Sequence, residues 1–178
     1  MKRAKPQTNK TQFGVARSAK GGFRDVRVLL HNIRSTHNVG SIFRTADAAG
    51  VSHIYISGYS PTPLDQFNRK RKDIAKVALG AEDSVKWSKA ANIKNLIAQL
   101  KIEGFSVVAL EQSTDSVDYK KVKIGKKVLM IVGNEVKGMS LELLKLADVV
   151  VEIPMKGEKE SLNVSVAFGI ALFQLLKI

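Results

Sequence analysis

The sequence predicts an α/β domain: a mostly parallel sheet with helices on both faces. Three observations predict it. From Val26 onward, short β-branched runs alternate with stretches of helical periodicity. The strand-like runs are continuously apolar, as in Val128-Leu129-Met130-Ile131-Val132, the pattern of strands covered on both sides. The 178-residue chain also shows no internal repeat, so one core is expected.

Taken in order, Val26–Ile33 reads as a buried strand. Asn38 to Gly50 reads as a helix, with Ile42, Ala46 and Ala49 on one face and Gly50 as its stop. Val51–Ser57 is a second strand, then a Pro/Gly loop runs from Gly58 to about Asn68. A short helix is expected over Lys70–Leu79 and a brief strand over Val85–Trp87. Ile93, Leu96, Ile97 and Leu100 fall at i, i+3, i+4 and i+7, a helix that Gly104 ends. Phe105–Leu110 is a strand, followed by a polar connection and the strand Val128–Val132. Ser140 can cap a helix from Leu141. Val149–Ile153 is the last strand and Asn163–Leu176 an apolar helix.

Lys plus Arg number 29 against 16 Asp plus Glu, a net charge of +13, so the expected partner is a polyanion. Residues 1–24 carry Lys2, Arg3, Lys5, Lys10, Arg17, Lys20 and Arg24 with no acid, and read as a flexible basic arm before a domain over 25–178. Arg69-Lys70-Arg71-Lys72 is a second cluster, and Lys120, Lys121, Lys123, Lys126 and Lys127 form a third. Together the three clusters point to phosphate contacts. Aromatic residues, at 6% and not interleaved with the basic ones, argue against a base-stacking single-strand binder. The absence of cysteine excludes disulfides and thiolate chemistry. No apolar run approaches the ~18 residues of a membrane helix, and there is no signal-peptide core, so a cytoplasmic protein is expected.

In such a sheet, ligands collect at the carboxyl ends of strands. Three loops there are unusual: Arg34–Arg44, Gly133–Ser140 and Pro154–Ser165. No G-x-G-x-x-G follows a strand, and in Gly133-x-x-x-x-Gly138 Met139 stands where a P-loop needs Lys. His31, His37 and His53 are scattered, with no metal-ligand spacing. Ser161, His37 and Asp47 could make a triad by type, but no G-x-S-x-G elbow presents a serine. The three loops offer small residues, helix N-termini and Asn, Arg and Glu side chains, a pocket suited to a neutral base and ribose.

Asn38-x-Gly40-x-x-x-Arg44, Gly133-x-Glu135-x-x-Gly138, and Ile153-Pro154-Met155 with Ser161-Leu162-Asn163-Val164-Ser165 resemble the three motifs of the SpoU-type (TrmH-like) RNA 2′-O-ribose methyltransferases. They stand in the family's order and span most of Val26–Ile178. The resemblance implies a SPOUT fold with a C-terminal trefoil knot, S-adenosylmethionine as cofactor, tRNA or rRNA as substrate, and a homodimer whose site draws on both subunits. It makes Arg44 the central catalytic residue, with Asn38, Glu135, Ser161 and Asn163. A guanidinium is a poor base, so Arg44 is read as orienting and stabilising charge. Arg44, Val51 and the loop after the first strand are expected to meet at one end of the sheet. The resemblance also implies cofactor contacts at Leu110, Glu111, Gly133, Glu135, Gly138, Ile153, Met155, Ser161, Leu162 and Asn163. Asn38 could cap its helix, and Glu135 is expected to fix its loop or a neighbouring Asn or Arg. The competing class is a catalytically idle RNA-binding module on the same scaffold.

Overall fold

A computed structural model describes residues 24–178. The elements are β1 (Asp25–His31), α1 (Thr36–Ala49), β2 (His53–Ser57), α2 (Lys72–Ala78), α3 (Ala81–Ser84), β3 (Trp87–Lys89), α4 (Ile93–Ile102), β4 (Ser106–Leu110), β5 (Val117–Asp118), β6 (Lys127–Val132), α5 (Leu141–Leu144), β7 (Val149–Glu152) and α6 (Val164–Leu176). The seven strands form one sheet in the order β3-β2-β1-β6-β4-β7-β5, and every strand pair is parallel.

The continuous apolar runs are explained by burial on both faces. Side chains alternate across a strand, so Val28 and Leu30, Val128, Met130 and Val132, and Val108 join the core under α1, α2 and α6. Their neighbours Leu29, Leu129, Ile131, Val107 and Ala109 join the opposite core with Ile97 and Leu100 of α4 and Leu143 of α5. Each fully buried Leu or Ile contributes about 1.5–3 kcal/mol of transfer free energy. Gly40 lets α1 close on α2, because a Cβ there would stand 2.8 Å from the Ile74 carbonyl oxygen.

Boundaries differ from the sequence reading where local hydrogen bonds outcompete the ladder. Strand β1 ends two residues early because Asn32 takes a left-handed conformation (φ 60°) and Ile33 donates its N–H to Ser60 Oγ. Strand β2 starts at His53, since Val51 N–H caps α1 through the Ala46 carbonyl. Strand β3 is displaced from Val85–Trp87 to Trp87–Lys89 because α3 claims Ala81–Ser84. The polar connection after β4 hides β5, two residues paired to the edge of β7. Helix α5 has only four residues, capped by Ser140 as expected. Helix α1 begins at Thr36 with Ser35 as its N-cap, its hydroxyl accepting from Asn38 N–H, so Asn38 is not the cap.

The expected meeting of Arg44, Val51 and the loop after β1 does not occur. Helix α1 runs antiparallel to the strands and returns the chain to their amino ends, where Ser52 N–H bonds the Val26 carbonyl. The basic arm lies outside the described residues except for Arg24, whose guanidinium donates to the Leu176 carbonyl at 2.8 Å and so belongs to the folded body. Of the lysine cluster, Lys126 and Lys127 lie at the amino edge of the sheet, away from the three motif loops. Among the described residues no helix is long and apolar enough to cross a membrane.

Candidate active site

The chain runs outward through β1, β2 and β3, then crosses to β4 on the other side, and β6 enters between β1 and β4. Ligand clefts form at the carboxyl ends of strands near such a reversal. The carboxyl ends of β4, β6 and β7 deliver Leu110-Glu111, Gly133-Asn134 and Glu152-Ile153 to one cleft, which Met155, Ser161, Leu162 and the start of α6 close.

One chain of hydrogen bonds joins the three loops. Asn163, the N-cap of α6, accepts from Ser165 N–H at 2.9 Å and donates its amide to Asn38 Oδ1 at 3.1 Å. Asn38 in turn donates to Glu135 Oε1 at 2.9 Å. The Glu135 carboxylate also accepts from Arg34 N–H at 3.0 Å and Ser35 N–H at 3.2 Å. Burial pushes this carboxyl up, but the Arg34, Asn38 and Ser35 donors outweigh burial and hold its pKa below the ordinary glutamate value. Glu135 therefore clamps the start of α1, through the neighbouring Asn rather than an Arg side chain, and remains ionised.

Two braces were not legible in the motifs. Asn134 is buried; its Oδ1 accepts from Val136 and Lys137 N–H, while its amide donates to the Asn32 carbonyl and Tyr59 hydroxyl. The turn of the Gly133–Gly138 loop is thus held by Asn134, while the Glu135 carboxylate reaches across to Asn38, Arg34 and Ser35. Glu111 accepts from Met139 N–H at 2.8 Å and Gln112 N–H at 3.0 Å. Its carboxylate is also why position 138 is glycine: φ is +64° and a Cβ would stand 2.6 Å from Glu111 Oε2. Gly138 consequently supports the loop from behind and does not line the cleft. Gln112 ties the third loop down by donating to the Glu160 carbonyl at 2.9 Å. Only their position at strand ends could have flagged Asn134, Gln112 and Glu152 from sequence.

The remaining expected residues divide cleanly. Leu110, Glu111, Gly133, Glu135, Ile153, Met155, Ser161 and Leu162 line the cleft. Asn38 and Asn163 stand beside it, joined through their amides. Arg44 does not line it: it is exposed on α1 and enters no ion pair among the described residues.

The cleft's charge is opposite to that of the chain. Glu111, Glu135 and Glu152 line it, no Lys or Arg does, and none of the three is in an ion pair among the described residues. With Leu110, Ile153 and Leu162 as apolar walls, it suits a ligand with a flat apolar body and a positive centre. Among the described residues no group of three or more His, Asp or Glu could hold a metal ion.

The basic Arg69–Lys72 run is not a uniform patch. Lys70 is spent on Glu82 at 2.7 Å and Asp83 at 2.5 Å, and those carboxylates raise its pKa. Arg69 pairs with Asp65 at 2.7 Å, Arg71 lies 3.4 Å from Asp73, and Lys72 is exposed without an ion pair among the described residues.

Comparison with known proteins matches residues 25–173 to the SpoU rRNA Methylase family. The chain is 34% identical over 151 residues to a tRNA (guanosine(18)-2′-O)-methyltransferase of Aquifex aeolicus, covering 85% of this chain and 68% of that one. It superposes on an AdoMet-bound rRNA methyltransferase from Sinorhizobium meliloti with TM-score 0.77 at 32% identity, covering 86% of this chain and 56% of the other. It superposes on the A. aeolicus TrmH/SpoU tRNA modifying enzyme with TM-score 0.75 at 32% identity, covering 86% and 75%. The chain thus spans roughly half to three quarters of the length of these relatives.

Proposed function

The chain belongs to the SpoU rRNA methylase family, and from that premise we propose that it transfers a methyl group from S-adenosylmethionine to a ribose 2′-hydroxyl of tRNA or rRNA. The observation that carries the reading is the acid-lined cleft in a chain of net charge +13. A nucleotide phosphate would be repelled there, whereas a sulfonium cation attached to adenosine suits three carboxylates and apolar walls.

When bound, S-adenosylmethionine supplies an electrophilic methyl group. Leu110, Ile153, Met155 and Leu162 would hold the adenosine, with Gly133 and the main chain around it, and Glu111, Glu135 and Glu152 would balance the positive centre. Methyl transfer breaks the carbon–sulfur bond, forms the ribose oxygen–carbon bond and releases the hydroxyl proton, so alignment governs the rate. Asn38, Asn163 and Ser161 present amide and hydroxyl groups at the mouth for the ribose. Glu135 is a weak proton acceptor, since three donors occupy its carboxylate and its pKa is held down. The proton is then handed to solvent or to the phosphate of the substrate that Arg44 orients.

Arg44 is absent from the lining of its own cleft, which favours a site completed by a second copy. Val166, Ile170 and Phe173 form an exposed apolar stripe at i, i+4 and i+7 along α6, which packs beside α1. A homodimer across this stripe would bring Arg44 of one protomer toward the cleft of its partner. The entry of β6 between β1 and β4 is compatible with a threaded, trefoil-knotted C-terminal half. A cytoplasmic location, where bacterial tRNA and rRNA are matured, goes with this reading.

Purified protein given radiolabelled S-adenosylmethionine and total tRNA or rRNA should yield label in ribose 2′-O-methyl groups, and Arg44→Ala should reduce transfer at least ~100-fold with cofactor affinity retained. Cofactor binding with no transfer to either RNA would favour the idle-module reading. Light scattering tests the dimer: Phe173→Lys should yield monomers, and a monomeric wild type would remove it.

A further inference from the structure

A cavity larger than the cleft at the motif loops lies elsewhere on the described residues. It lies at the carboxyl ends of β2 and β3, a groove of about 740 Å³ between the Gly58–Arg71 loop and Lys89–Ala91, within the range of roughly 300–1,000 Å³ typical of ligand sites. Tyr59, Phe67, Arg69, Arg71 and Lys89 line it, with Asp65 as its one acid.

Its aromatic and basic residues are presented by a braced loop. Asp65 accepts from the N–H groups of Phe67 at 2.8 Å and Arg69 at 2.9 Å, and pairs with the Arg69 guanidinium at 2.7 Å. Those bonds hold the Asp65 carboxyl below its ordinary pKa, so the brace persists at neutral pH. The turn places Phe67, 65% exposed, beneath the Arg69 guanidinium at 4.8 Å. Such a ring costs hydration free energy in the free protein and offers a ready stacking face.

The groove is continuous with the cleft. Tyr59 also lines a patch with Arg34 and Lys137, and Asn134 lines both that patch and the cleft while donating to the Tyr59 hydroxyl at 2.8 Å. Asn32 accepts Tyr59 N–H, and Gly58 is glycine because a Cβ there would stand 1.8 Å from Asn32 Oδ1. One strip of the sheet edge therefore runs from an acidic cleft through Arg34 and Lys137 to Phe67, Arg71 and Lys89.

We propose that this groove binds a single-stranded stretch of the RNA substrate beside the target ribose, stacking a base on Phe67 and holding phosphates with Arg71 and Lys89. Stacking on an aromatic face with basic residues tracking the backbone is how single strands are held without base-specific readout. Sequence spacing argues against such a site because aromatics and cations are not interleaved along the chain; the fold brings Tyr59 and Phe67 of one loop together with Lys89 from a second segment. The proposal rests on the RNA reading above, and it excludes Lys70, whose charge Glu82 and Asp83 already occupy.

The test measures fluorescence anisotropy of a labelled, unstructured RNA dodecamer with full-length protein, alongside S-adenosylmethionine calorimetry and methylation of total RNA. Phe67→Ala should weaken dodecamer binding roughly tenfold. Arg71→Gln with Lys89→Gln should flatten the log affinity against log salt slope by about 1.4, and Lys70→Gln should leave it unchanged. Cofactor affinity should stay constant in all variants. Wild-type affinity in Phe67→Ala and in the double variant, equal loss in Lys70→Gln, or no dodecamer binding by the wild type would each overturn the groove. If RNA is methylated while groove variants bind as wild type, only the groove fails; if groove variants lose binding but no RNA is methylated, only the methyl-transfer reading fails.

Discussion

Two hollows open along the carboxyl edge of a single sheet, and they are electrostatic opposites. The cleft above β4, β6 and β7 is lined by three glutamates and no cation, whereas the groove above β2 and β3 holds Arg69, Arg71 and Lys89 against one paired aspartate. Both are built from loops, but the loops are held differently. The cleft depends on long-range bonds, Asn163 to Asn38 to Glu135, linking residues about a hundred positions apart. The groove depends on a local turn in which Asp65 binds residues two and four positions ahead. Charge is thus sorted by site rather than spread, so a cationic cofactor and a polyanionic strand can lie side by side without competing.

The largest effect expected from disturbing this contrast is at Glu135. Glu135→Ala leaves the N–H groups of Arg34 and Ser35 and the Asn38 amide without their acceptor, which should cost about 1–3 kcal/mol in urea unfolding while dodecamer binding at the groove persists. Equal loss at both sites would show that they are not independent. Next is Leu162→Lys, which puts a cation into the acid-lined cleft from a position 38% exposed. S-adenosylmethionine affinity should fall at least ~10-fold by calorimetry, with no loss of RNA affinity.

Acidification gives a smaller, graded effect. The folded-state pKa of Glu135 lies below its ordinary value of 4.5, so its contribution is fully present above that value and is lost as pH falls through the depressed one. Stability measured from pH 6 down to pH 3 should fall less steeply in Glu135→Gln than in the wild type. The smallest effect is at the surface of α1: Ser35→Ala removes an N-cap bond and should cost about 1 kcal/mol, with no change in the groove.

Much of the framework was legible from periodicity. The strands at Val128–Val132 and Phe105–Leu110 and the helices of α1, α4 and α6 stand within a few residues of their expected places, because continuous apolar runs and i, i+3, i+4 spacing leave little choice once both faces of a sheet must be covered. The two-residue β5 was not legible, since Val117-Asp118 carries no pattern of its own and is extended only because β7 offers it an edge. Three motif loops at strand ends were likewise visible, and eight of the expected residues do line the cleft. The roles of Asn134, Glu111 and Asn32 were not. Each acts by satisfying a backbone group from a distant segment, and nothing in the local sequence records who that partner is.

Arg44 shows the division most sharply. Its identity and spacing from Asn38 are properties of the sequence, as are the fold class, the basic balance and the three motifs. Its position on an exposed face of α1, outside its own cleft, is a property of the folded chain. So are the sorting of charge into an acidic cleft and a basic groove, and the meeting of Phe67, Arg71 and Lys89. The physical reason is range. Propensity, patterning and capping act over a few residues and can be read in order, whereas a cleft is made by strands that neighbour in space and not in sequence, β4 with β6 and β7, β2 with β3.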